Sequence, residues 1–132
     1  MSFEAALSDE LETIPDLLGK VFPLFAPEQD DNKQPLKAPY VLYESSEGVN
    51  GKTLGGFSAD KTVNCELYIL ATTYRELKQL TSAVINLLQS FERRAIGSGA
   101  LFITELTYEP PVELYEPLPR LNRCNIVFKV HF

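Results

Sequence analysis

The chain has no tryptophan, one histidine and two cysteines, and it lacks any apolar run near the roughly 20 residues that a membrane-spanning helix requires. Each scarcity removes a class of function. Cys65 and Cys124 alone cannot make a disulfide framework, and their spacing fits no zinc motif. Basic residues are also short: 12 Lys and Arg against 18 Asp and Glu leave a net charge of -6. That is the wrong sign for non-specific binding to nucleic acid or to anionic lipid. The N-terminus has no positive end and apolar centre of a signal peptide, because Met1 to Glu12 already carries Glu4, Asp9, Glu10 and Glu12. What is present is a globular composition, 45% apolar and 23% charged over 132 residues, enough for one domain with its own core. The expectation is a soluble, cytosolic single domain spanning 1–132, with no nucleic acid and no membrane as partners.

Phe3, Leu7, Leu11 and Ile14 make a helical stripe that Ser2 can cap, and Pro15 should end this helix near Thr13. One further turn, Pro15 to Leu18, stops at Gly19. Val21 to Ala26 reads as an edge strand because it contains Pro23, and Pro27 to Ala38 reads as a polar loop. Pro39 to Ser46 reads as a strand, and Lys61 to Leu70 as a clearer one, with Val63, Cys65, Leu67 and Ile69 on one side. Thr73 to Glu76 has capping-box form and opens a helix carrying Leu77, Leu80, Val84, Leu87, Leu88 and Phe91. Arg93 and Arg94 suit its negative end, and Gly97-Ser98-Gly99 is expected to close it. Ala100 to Tyr108 is strand-like, Glu109 to Pro119 is a proline-punctuated excursion, and Cys124 to Phe132 alternates without fault. The order predicts an α+β sandwich: two helices on one face of a mainly antiparallel sheet of four to five strands.

Between the second and third strands lies Glu47 to Ser58, which holds four of the seven glycines. Asn50-Gly51 suits a tight turn, but the stretch is far longer than a hairpin loop needs, and long loops in small domains are either mobile or functional. It is the candidate interaction surface: Glu47, Gly48, Val49, Asn50, Gly51, Lys52, Thr53, Leu54, Gly55, Gly56 and Phe57. It is not a phosphate loop, since the first glycine of that motif would fall at Ser46.

The rest of the chain offers little chemistry. His131 falls on the polar side of the last strand, and strand parity sets it on the opposite face from Cys124, so it reads as a solvated histidine. Both cysteines read as small buried hydrophobes, reduced and inert. Glu28, Asp30 and Asp31 cluster, but without the calcium-loop pattern they read as a solvated acidic loop. The tyrosines at 40, 43, 68, 74, 108 and 115 suit a protein interface, because base stacking would need a basic groove. No catalytic residue, metal ligand or cofactor site is expected.

Several segments, taken in order, carry a resemblance. They are Gly19-Lys20-Val21-Phe22-Pro23, Ala38-Pro39-Tyr40-Val41-Leu42-Tyr43, the glycine loop ending Leu54-Gly55-Gly56, and Val63 to Ala71 running into Thr72-Thr73-Tyr74-Arg75-Glu76-Leu77. In order, spacing and chain length the sequence resembles the tail-completion family of long-tailed bacteriophages and prophages, the tail terminators or tail-to-head joining proteins. The likeness covers roughly positions 1 to 92. It implies an α+β fold and a hexameric ring on the head-proximal end of the tail tube. There the ring would stop tube polymerisation and meet the head-completion or connector protein. The implied partners are other copies of the chain, the tail tube protein and the connector; the implied places are the virion tail and, during assembly, the host cytoplasm. The family offers no invariant site motif to transfer, and Glu109 to Pro119 is proline-heavier than the family pattern. Two other readings stay open. One is a different virion assembly component, such as a head-completion or minor tail protein. The other is a small enzyme or ligand-binding module, which a pocket with convergent polar groups would favour.

Overall fold

Two long stretches alternate strictly between apolar and polar residues, and they pair with each other at the centre of the molecule. A computed structural model describes residues 3–24, 36–117 and 120–132. The helices are α1 (Phe3–Leu11) and α2 (Tyr74–Ser90), with a 3-10 turn at Pro15–Leu17. The strands are β1 (Val21–Pro23), β2 (Tyr40–Ser45), β3 (Val49–Thr53), β4 (Gly56–Ala71), β5 (Arg94–Ile96), β6 (Leu101–Ile103), β7 (Glu105–Tyr108), β8 (Val112–Glu116) and β9 (Leu121–His131).

The main sheet runs β1-β2-β4-β9-β7, with β3 also on β4 and β8 also on β9. Only β1 with β2 is parallel; the other pairings are antiparallel. Thr62 faces Val49 on one side and His131 on the other, so β3 lies on β2's side of β4. Asn125 likewise faces Val112 and Tyr68, so β8 lies on β7's side of β9. The α+β class and the antiparallel character agree with the sequence reading, but the strand count does not. The sheet has seven strands, and β5 and β6 form a separate hairpin. Five ribbons cross the sheet, and two of them are interrupted. Gly48, at φ 91°, breaks the ribbon of β2 and β3. Pro110 and Pro111, which have no N–H to give, fall in the break between β7 and β8.

Three boundaries also move. The helix ends at Ser90, and Gly97-Ser98-Gly99 is the tip of the β5–β6 hairpin rather than a helix stop. The stretch Ala100 to Tyr108 divides between that hairpin and the main sheet. β4 begins at Gly56 rather than Lys61. β1 is an edge strand as Pro23 requires, although it ends before Ala26. Ala26 and the acidic cluster Glu28, Asp30 and Asp31 lie outside the described residues.

The core follows from the inward rows. Val41 of β2, Val63, Cys65, Leu67 and Ile69 of β4, Leu106 of β7, and Cys124, Ile126, Phe128 and Val130 of β9 are all buried. Against them α2 buries Leu77, Leu80, Val84 and Leu88, Phe91 follows its end, and α1 buries Phe3, Ala6, Leu7 and Leu11. Phe3 meets Phe128 edge-on with centroids 6.3 Å apart and stacks on Phe132 at 5.9 Å. Thr73 caps α2 by accepting the Glu76 amide at 3.1 Å, while the Glu76 carboxylate accepts the Thr72 hydroxyl at 3.5 Å. At the other end Arg94 serves the helix from β5. Its Nε donates to the Ser90 carbonyl at 3.0 Å, and its Nη2 donates to Glu10 Oε1 at 2.6 Å, joining α1 to the end of α2. Glu10 Oε2 also accepts the Gly97 amide at 3.2 Å, which holds the small hairpin against α1.

Burial of each large side chain on α2 contributes about 1.5–3 kcal/mol. Leu80→Ala or Val84→Ala is therefore expected to lower stability by on the order of 1–4 kcal/mol. Gln79→Ala, on the exposed side of the same helix, should change it by less than about 0.5 kcal/mol. Urea midpoints of the three variants check the assignment of the buried face.

Both thiols lie in this core. Burial, then the Glu4 charge, pushes Cys65 up to about 12, and burial raises Cys124 as well. Both are expected to react with a maleimide only after unfolding, which mass spectrometry at pH 7 reads directly. The Cys65 contribution to stability is full below its unfolded pKa, about 8.5. It is lost as pH rises from there through the folded value, so the urea midpoint of wild type should fall more steeply over that range than that of Cys65→Ala.

Candidate interaction surface

The eleven residues from Glu47 to Phe57 come together in one hairpin. β3 pairs with the first half of β4, and Leu54-Gly55 forms the two-residue turn, so the long loop expected from the glycines is instead a ladder. Asn50-Gly51 is not the turn. It marks an irregularity where the pairing passes from Asn50–Lys61 to Lys52–Phe57, two steps on β3 against four on β4. The Asn50 side chain fills that mismatch by donating to the Ser58 and Asp60 carbonyls at 3.2 and 3.4 Å. Ser58 Oγ donates to the Gly51 carbonyl at 3.2 Å, and a Cβ at Gly51 would sit 2.9 Å from that hydroxyl. The turn is held by Thr53, whose hydroxyl accepts the Gly55 amide and donates to the Gly56 carbonyl, both at 3.3 Å.

The glycine that the hinge cannot do without is Gly48. Its φ is 91°, and a Cβ there would meet Lys61 Cε at 2.8 Å and the Thr62 carbonyl and Val63 Cγ2 at 2.9 Å. Beside it Glu47 pairs with Lys61 at 3.7 Å, a rim contact of small energetic weight.

Beyond Thr62, which also pairs with His131, and the exchange of backbone bonds between Lys61 and Phe132, the hairpin has no third strand among the described residues. It runs on past the end of the β4–β9 pairing with apolar groups in solvent: Val49 is 73% exposed, Phe57 75%, and Leu54 fully so at the tip. Lys52 Nζ lies 5.2 Å over the Phe57 ring. Exposed apolar groups on a projecting two-stranded ribbon are a contact surface in search of a partner.

A second such surface was hidden in the proline-rich excursion. β8 pairs with β9 on one side only among the described residues, and it exposes Val112 (55%), Leu114 (45%) and Tyr115 (58%). Its inner side is tied to α2 by the ion pair of Glu113 with Lys78, a contact that lowers the Glu113 pKa and raises that of Lys78. The only sequence signal for this strand was the Val112-Leu114 alternation between Pro111 and Pro117.

The sheet face away from the helices is shallow. A depression of about 380 Å³ has Leu42, Leu70 and Tyr68 in its floor, with Arg123 5.6 Å over the Tyr68 ring. Glu44 and Glu66 stand directly opposite each other there. Burial first, then the neighbouring Glu66, pushes the Tyr68 hydroxyl up to about 12. His131 lies in a smaller depression of about 240 Å³, its Nδ1 3.0 Å from the Thr62 hydroxyl and Glu105 opposite it in register. This row is what cross-strand pairing alone produces on an antiparallel face. His131 and Cys124 fall on opposite faces, as parity requires.

Gly48→Ala should lower stability by about 1–3 kcal/mol, because it places a Cβ against backbone at a φ that favours glycine. Denaturant midpoints of this variant and of Gly55→Ala, whose added Cβ would meet only a hydroxyl at 3.8 Å, separate the hinge effect from the general cost of losing glycine.

No family model matches the chain, and no curated protein matches it. A solved structure does match. A chain from the virion of a native gene transfer agent particle superposes with a TM-score of 0.62 over 98% of this chain and 98% of that chain, at 12% identity. At that identity the likeness is one of fold, and it covers nearly the whole of both chains.

Proposed function

We propose that this protein is a structural component of a phage-type virion, a tail terminator. In that role copies of the chain form a hexameric ring on the head-proximal end of the tail tube, stop its polymerisation and present the surface that the head-completion or connector protein meets. The observation that carries the reading is the match of the entire domain, end to end, to a chain of a phage-like virion particle. The order of short motifs described above supports the finer assignment to the tail end. The projecting β3–β4 hairpin and the exposed β8 edge supply the contacts that such a role needs. The role is structural rather than enzymatic, and it requires no metal or cofactor.

The same match supports a second reading, another assembly component such as a head-completion or minor tail protein. Electron microscopy of the purified protein mixed with tubes of its cognate tail protein distinguishes the two. The expected result is ring-shaped density on one end of each tube, with tubes that no longer lengthen when more tube protein is added. Binding to isolated connectors with none to tubes would transfer the protein to the head side of the joint. Binding to neither would defeat both the terminator and the head-completion assignments. Six copies at -6 each carry a formal -36, so the mixture is best examined near physiological salt, where the Debye length is about 8 Å.

A further inference from the structure

A ring made by rotation needs two different, mutually complementary patches on each subunit. Among the described residues β1 and β7 end the sheet, and β3 and β8 also have one open side; β3 and β8 are the two edges that meet this requirement. β3 and β8 are both five residues long, and each is paired on one side only among the described residues. Pro110-Pro111 and Pro117 bracket β8, which limits any added strand to a window of the length of β3. The edges lie on opposite sides of the sheet and at opposite ends: β3 on Gly56–Thr62 of β4, and β8 on the part of β9 that faces Tyr68–Ala71.

Their charges differ in sign. β3 itself carries Lys52 and no acid, although Glu47 precedes it and Asp60-Lys61 lie on its partner strand. β8 carries Glu113, which is paired with Lys78, and Glu116, with no base. Pairing β8 with another β8 would set glutamates against glutamates, and β3 with β3 would bring lysines together. Like charges across a strand pair are destabilising and opposite charges are favourable. Both edges also bring exposed apolar groups, Val49 and Leu54 on one and Val112 and Leu114 on the other.

We infer that β3 of one copy adds as an extra antiparallel or parallel strand to the β8 edge of the next copy, so that the sheet continues from subunit to subunit around the ring. The partner at this surface is a second copy of the chain, and the contact is head-to-tail. Backbone hydrogen bonds supply affinity, while the charge difference selects β8 over a second β3. Because the two edges sit at diagonal corners, the strands incline to the ring axis, as strands must whenever a sheet closes on itself. This inference rests on the ring proposed above and names its interface.

Disulfide trapping on the full chain tests it. Val49→Cys and Lys52→Cys place a thiol on β3, and Val112→Cys and Leu114→Cys place one on β8; all four positions are exposed, and the native thiols are buried. Thermal melts confirm that each variant folds, and mild oxidation is applied under conditions where electron microscopy shows wild-type rings. Combining one position from each strand in a single chain should give, for at least one combination, a reducible ladder of covalent species up to the hexamer. Mixing the corresponding single variants should give heterodimers and nothing larger. Dimers from a single variant alone would show like edges pairing and overturn the inference. Rings that form while none of the four combinations cross-links would overturn it and leave the ring itself standing. Absence of any higher species, for wild type as well, would remove the ring and this interface together.

Discussion

The ladder between β4 and β9 decides where everything else can go. Ten residues from Thr62 to Ala71 face ten from His131 back to Asn122, and the inward pairs include Val63 with Val130, Cys65 with Phe128, Leu67 with Ile126 and Ile69 with Cys124. A slip of one residue along this ladder would turn each of those side chains to the far face. The apolar rows are long enough that such a slip would expose most of the core, so the register is fixed by burial rather than by turn chemistry. The interrupted ribbons then attach to the two outer edges of the ladder. α2 leaves β4 after only Thr72 and Thr73, and it has no choice but to fold back across the apolar face. α1 is placed last, by Phe3 on Phe128 and by Glu10 on Arg94.

Whatever carries an alternating or helical row of apolar residues could be read in the sequence, and these are the elements that bury a face. Val63 to Ile69, Cys124 to Val130 and the stripe Leu77, Leu80, Val84, Leu88 are of this kind, and each lies where the pattern put it. The elements that escaped are those without a buried face. All five residues of β3 are exposed, so nothing in their composition separates a strand from a loop; only pairing to β4 makes them one. β5 and β6 are three residues each, shorter than any pattern can register. β8 lay between prolines that favour irregular chain, and those same prolines delimit it. For the candidate surface, glycine content identified the right residues for an incomplete reason. Gly48 is required by crowding at a hinge, and Gly51 by the close approach of Ser58, rather than by a need for slackness along the whole stretch.

Among the described residues, one row of polar side chains lies on the sheet face away from the helices. Glu44 stands opposite Glu66, and like charges so placed carry a local electrostatic cost. Arg123 covers Tyr68 from the next row. Such an arrangement fixes side chains on a broad, shallow surface, which suits recognition of another broad surface better than enclosure of a small molecule.

No polar or charged residue is buried among the described residues. A core of that kind asks its side chains for volume and pattern only, since no hydrogen-bonded pair has to be kept or lost as a unit. Many apolar combinations meet those two conditions, with modest energetic differences between them. Substitutions can therefore accumulate one at a time through the interior while the backbone path stays put. A chain that is 12% identical superposes along 98% of both lengths. For a domain built this way, the path of the backbone can be shared by sequences that have few residues in common.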